Sequence, residues 1–185
     1  MGKGIVDKLK EEFDIEDEWL PFEIHPETPE EGVPMAEKFP SASIDRMFDN
    51  LKSMGMPYGI DFNKNDILSN SRKSLEAGEY SKEIGKFHEF HQNIFRAYFS
   101  EGKDIGDIEV IKGVAQISGL NIDELTGRLH SGIYEKNVRD VQKRAQMYEI
   151  NSAPTFIIDD KFVIVGAQPL EAFRKTLLDI EKQQY

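Results

Sequence analysis

The sequence predicts an α/β fold in which both ends of the chain build one small layered unit around a large all-helical block. Three observations carry that expectation. From about Ser41 to Glu149 the apolar residues recur at helical spacing throughout. After this block comes an apolar, β-branched run, Thr155-Phe156-Ile157-Ile158, followed by a turn, a second strand and a helix. Before it, Glu18 to Ile24 alternates with period two.

Taken in order, Ile5, Val6, Leu9 and Phe13 place a first helix over Gly4 to Phe13. In residues 18–24 Leu20, Phe22 and Ile24 share one face. Pro21 has no amide to give a ladder, so this strand is expected at a sheet edge. Residues 25–34, HPETPEEGVP, read as a loop. Within the helical block one stripe is Ile44, Met47, Phe48, Leu51 and Met54. Ile84, Phe87, Ile94 and Tyr98 mark a longer helix, whose apolar face Phe90, Phe95 and Phe99 widen. Val110, Ile111, Val114 and Ile117 form another stripe, and Tyr134, Val138, Val141, Ala145 and Tyr148 the last. Asp123 is expected to cap a short helix that carries Leu125 and Leu129. Asp159-Asp160 then turns the chain between strands 155–158 and 161–165, a spacing that suggests a hairpin. Gly166 ends the second strand and Pro169 suits the first turn of a helix, with Leu170, Phe173, Leu177 and Ile180 on its buried face.

Composition narrows the function classes. The chain has 185 residues, 39% hydrophobic and 31% charged, which is ordinary for a globular protein. A net charge of −11 argues against a nucleic-acid surface, which needs clustered lysine and arginine. No apolar run reaches the length of a bilayer span, and Met1-Gly2-Lys3-Gly4 opens no secretory signal, so a cytoplasmic, non-membrane protein is expected. The absence of cysteine removes disulfides, thiolate metal sites and thiol catalysis from these 185 residues. His88 and His91 stand three apart on a predicted helix, but without a companion carboxylate arrangement they predict no metal site. Glu11, Glu12, Asp14, Glu16 and Asp17 read as a solvated acidic turn. Phe87, Phe90, Phe95 and Phe99 read as core in preference to a groove for unfolded substrate. No cofactor is expected.

Four stretches, in the same order along the chain, give the sequence a wider likeness: PFEIHPETP at 21–29, FRAYFSEGKDIGD at 95–107, SAPTFIID at 152–159 and VGAQPLEAF at 165–173. With them the chain resembles the DsbA-like thioredoxin superfamily, in particular its FrnE-type oxidoreductases. The resemblance implies a thioredoxin-like fold of DsbA type with a large all-helical insertion. The thioredoxin-like part is expected at 1–40 and 150–185 and the inserted helical domain at 41–149. It also implies a protein thiol–disulfide oxidoreductase or disulfide isomerase, acting on a disulfide-containing protein or a small thiol such as glutathione.

Such proteins begin with an apolar central strand and a Cys-x-x-Cys at the start of the first helix, whose amino end favours the thiolate. Met1 to Gly4 aligns just after that second cysteine, so the first central strand and both cysteines are missing here and no catalytic residue is assigned. A chain cut short, a redox-inactive relative, or a strand supplied by another protomer, as in a homodimer, would each account for this. The strands at 18–24 and 155–158 are then expected to pair directly or to take a neighbour's strand between them. Pro154 matches the family's cis-proline, with Ala153 and Thr155 beside it as substrate- or thiol-binding positions. Gln168, at the start of the last helix, and His25, after the edge strand, are further candidates at the rim. Two alternatives share the fold or the surface: a glutathione-dependent isomerase or transferase of the 2-hydroxychromene-2-carboxylate isomerase and kappa type, and a non-enzymatic peptide-binding module.

Overall fold

The computed structural model describes residues 1–183. Helix α1 spans Gly2–Leu9. A long segment of turns and irregular chain follows, then β1 (Val33–Pro34), α2 (Met35–Lys38) and α3 (Ser41–Gly55), a 3₁₀ turn at Met56–Tyr58, and β2 (Ile67–Leu68). Helices α4 (Arg72–Glu83), α5 (Phe87–Phe95), α6 (Ile108–Ile117), α7 (Ile122–Ser131) and α8 (Glu135–Met147) complete the helical block. The chain ends in β3 (Thr155–Ile158), β4 (Phe162–Val165) and α9 (Leu170–Gln183).

Several helical stripes of the sequence find their partners in two clusters, while Met47, Met54, Ile117 and Tyr148 of the expected stripes are exposed. Phe90, Ile94, Ile111, Val114, Leu125 and Leu129 pack with Ala77 and Tyr80 of α4 at the centre of the block. Ile5 and Leu9 of α1 pack with Phe173 of α9, and Phe156 and Ile164 of the hairpin close over them. These hairpin residues share one face because side chains alternate along a strand. The opposite face leaves Ile157, Val163 and Val165 exposed. Among the described residues no helix is long and apolar enough to cross a membrane.

Several sequence expectations are corrected. Residues 18–24 form no strand, and the two strands expected to flank the missing one do not pair: among the described residues β3 pairs only with β4, in antiparallel register from Thr155↔Val165 to Ile158↔Phe162. A strand needs a ladder partner, and this segment takes its partners from helix side chains instead. The Gln142 carboxamide of α8 accepts from the amide of Glu23 at 3.1 Å and donates to its carbonyl at 3.0 Å, much as a neighbouring strand would. Lys82 donates to the Trp19 carbonyl, and the Asn70 amide to that of Thr28 at 2.6 Å.

The single helix expected over 84–98 is two elements. Gly85 takes φ 70°, which glycine adopts without steric cost, and the amides of Gly85 and Lys86 bond back to the carbonyls of Lys82 and Ser81. That pair of bonds ends α4 before Phe87 starts α5. Beyond α5 the backbone widens into a π turn at Arg96–Ser100. The cap of α7 is Asn121, whose side chain accepts from the Glu124 amide at 3.1 Å, while Asp123 sits inside the first turn. Strand β4 starts at Phe162, one residue later than expected, because the Lys161 amide closes the turn onto the Ile158 carbonyl. Asp159 and Asp160 both hold φ 52°, the sign a tight hairpin turn requires.

Candidate functional site

The loop before β3 and the first turn of α1 meet face to face. The loop is pinned from two sides: Thr155 Oγ1 donates to the Ser152 carbonyl at 2.8 Å, and the Gly166 amide donates to the Pro154 carbonyl at 2.8 Å. Between those pins the Ala153–Pro154 peptide bond is cis. On the facing helix a Cβ at Gly2 would stand 3.1 Å from Pro154 Cβ and 3.6 Å from Phe156 Cζ, so the glycine lets the helix backbone sit close against the Pro154 and Phe156 rings. Two residues further on, on another face of the same turn, a Cβ at Gly4 would lie 2.7 Å from Tyr58 Cδ1. Tyr58 thus forms a second wall, held by the Lys8 ammonium 4.8 Å above its ring. Two glycines in one helical turn are unfavourable for the helix itself; that cost was the sequence signal for close contact, and sequence reasoning missed it.

The first intrahelical bond of α1 runs from Ile5 to Met1 at 3.0 Å, so the amides of residues 2–4 have no carbonyl of their own helix. Thr155 and Ala153 lie on the loop that faces this turn. Gln168 reaches the same corner indirectly: its amide bonds to the Gly166 carbonyl at 2.9 Å, and its side chain donates to the Val165 carbonyl at 3.0 Å. The exposed ring of His25 has Glu27 as its polar partner, Nδ1 to Oε1 at 3.3 Å, and no bond joins it to the Pro154 loop.

The two α5 histidines separate. His88 is exposed, while His91 is 8% exposed and enclosed by rings: Trp19 at 4.7 Å, Phe87 stacked at 5.1 Å and Phe95 at 4.2 Å between centroids. Burial pushes the His91 imidazole down to about 4, and the charge of Lys3 on α1 acts in the same direction. Its ring is neutral at pH 7. The aromatic stripe therefore divides: Phe90 is core, Phe87 and Phe95 frame His91, and Phe99 meets Phe62 edge-on at 5.3 Å. Among the described residues no group of three or more His, Asp or Glu is placed to hold a metal ion.

His91 sets an acid limit on the fold. An imidazole with a lowered folded pKa keeps its stabilising contribution above the unfolded value near 6.5 and loses it as pH falls toward 4. Between pH ~7 and pH ~5 the native chain is expected to lose about 2 kcal/mol through this group. Denaturant unfolding of His91→Phe should show that part of the acid slope removed.

The DSBA-like thioredoxin domain family matches residues 1–178. The uncharacterized protein YwbO of Bacillus subtilis (strain 168) is 29% identical over 188 aligned residues, covering 100% of this chain and 92% of that protein. In structure the chain is similar to a probable DsbA oxidoreductase from Streptomyces coelicolor. The TM-score is 0.87 at 21% identity, over 96% of this chain and 82% of that one. A candidate protein disulfide isomerase from Nitrosomonas europaea superposes with a TM-score of 0.65 at 19% identity, over 83% and 78% of the two chains. With this fold, and with a family match that runs through α1, the Pro154 loop and most of α9, the chain belongs to the DsbA-like thioredoxin domain family.

Proposed function

We propose that this chain is the substrate-binding body of a FrnE-type protein thiol–disulfide oxidoreductase or isomerase, and that its 185 residues by themselves carry out no thiol exchange. The observation that carries the reading is the approach of α1 to the Pro154 loop across Gly2. It brings the first turn of α1 against a backbone edge pinned at both sides. An extended polypeptide lies along Ala153–Thr155, with Gln168 at the rim, and presents its disulfide to the amino end of α1. In a site completed by two cysteines, a thiolate there attacks one substrate sulfur and the other sulfur departs as thiolate. The second cysteine then resolves the mixed disulfide, so the substrate leaves reduced and the cysteine pair oxidised.

Insulin reduction driven by dithiothreitol tests this. The 185-residue chain is expected to leave the background rate unchanged, since it has no sulfur nucleophile. A version extended at its amino end by an apolar strand and a Cys-x-x-Cys turn is expected to accelerate the reaction. Reduction by the cysteine-free chain would sink the reading. So would an extended chain that is folded by circular dichroism, titrates two thiols and still gives only the background rate.

A further inference from the structure

Of the buried side-chain oxygens without a hydrogen-bond partner among the described residues, two belong to one carboxyl group, Glu76 of α4. Its side chain is 0% exposed, and its nearest cation, Lys73 Nζ, stands 4.0 Å away at the edge of ion-pair range. A buried carboxylate in that state is costly, whereas the neutral acid is far less so. The thiol–disulfide reading makes no use of this group and the inference does not depend on it.

The surroundings give Glu76 a structural setting. One turn earlier on α4, Arg72 grips the buried carboxylate of Glu23, Nε at 3.2 Å and Nη2 at 3.1 Å. From α8, Gln142 holds both backbone groups of that same Glu23, and Asn137 donates to Glu79 of α4. The seam between α4, α8 and the segment at 18–28 is therefore polar and tightly tied. The charged groups acting on Glu76 are Lys73 and Arg72 on its own helix, Glu135 in the first turn of α8, and Glu23 on the segment. Two are cations and two are anions, so they leave burial as the largest influence, and burial holds the Glu76 carboxyl above the usual range.

We infer that Glu76 is a proton-operated latch: as the neutral acid it lets α4, α8 and the 18–28 segment close on one another, and on ionisation it loosens that seam. The sign follows from its burial. Because the folded state holds this proton more tightly than the unfolded chain, the latch is fully closed below the ordinary glutamate range. Its contribution declines as pH rises through the folded value. His91 acts in the opposite sense over an overlapping range, so the comparison must be made against a variant and not read from the native curve alone.

Glu76→Gln keeps the shape and removes the titration. Its melting temperature should match that of the native chain near pH ~4 and exceed it by about 3–6 °C near pH ~8. Amide exchange corrected for intrinsic rate should speed up at residues 18–28 and along α8 of the native chain as pH rises, and should not do so in the variant. A gap that stays constant with pH overturns the inference. Should the variant fail to fold, the native chain still decides: a Glu76 carboxyl that titrates by carbon NMR at the ordinary value of 4.5, or a seam whose exchange ignores pH, refutes it.

Discussion

Phe173→Ala is expected to lower the unfolding free energy by about 3–5 kcal/mol, measured by urea titration. Phe173 is 1% exposed, and with Ile5 and Leu9 it makes up the fully buried part of the cluster that joins α1, α9 and the hairpin. Its ring meets Phe156 of β3 edge-on, with centroids 4.8 Å apart and planes at 79°. Truncation leaves a cavity that the neighbours cannot fill without moving a helix or a two-stranded hairpin. A lone hairpin has little stability of its own. The consequence for the site is specific. Phe156 lies both against Phe173 and within 3.6 Å of a Cβ placed at Gly2, so loss of the Phe173 ring frees the wall that seats α1 against Pro154. Phe90→Ala, in the other cluster, is expected to cost a similar free energy while leaving exchange protection at the Pro154–Gly166 bond intact. A cost under about 1 kcal/mol for Phe173→Ala would show that the cluster does not hold these elements together.

The parts of this fold that were legible in the sequence are those a local rule decides. Helices such as α6, with Ile111 and Val114 buried, and α9, with Phe173 and Ile180 buried, announce themselves through period, and the Asp159-Asp160 turn through residue type. Residues 18–24 misled because alternation specifies a shape, not a partner. Whether Leu20, Phe22 and Ile24 sit in a ladder depends on what lies alongside, and here it is the Gln142 carboxamide, 119 residues away in sequence. The break at Gly85 was readable in principle, since a glycine between two periodic runs is a helix-stop signal, but Ile84 and Phe87 kept the period across it. Asn121 displaced Asp123 as the cap of α7 because two good capping residues stood two apart and the backbone chose the first.

The site was legible unevenly. Ala153, Pro154 and Thr155 came from the resemblance to the DsbA-like family, and the structure places them at a loop facing α1. Local pattern gave no hint that His91 would be walled in by Trp19, because that contact joins a loop to a helix seventy-odd residues later. Nor did it reveal the seam at Glu23. A glutamate in an alternating stretch looks like the solvent side of a strand, yet this one is buried beneath an arginine.

Arg72→Met is the second large effect, expected to cost about 3 kcal/mol. The Glu23 side chain is 5% exposed and, among the described residues, Arg72 is the one side chain bonded to its carboxylate; the guanidinium spans both oxygens at 3.1 to 3.4 Å. Removing it strands a charge where water reaches poorly. The arginine itself is 43% exposed, so some solvent follows its loss and the cost falls at the lower end of the range for a broken buried pair. Glu23→Gln is expected to be milder, about 1 kcal/mol, because the freed guanidinium turns to water while the Gln142 bonds to the backbone of residue 23 remain. The double variant should therefore be more stable than Arg72→Met alone, which a double-mutant cycle in urea reads directly. Arg72 also acts on Glu76 with a sign that favours its ionised form, so Arg72→Met should steepen the loss of stability with rising pH. Additive single costs, with no change in that slope, would mean that Glu23, Arg72 and Glu76 are neighbours without being one network.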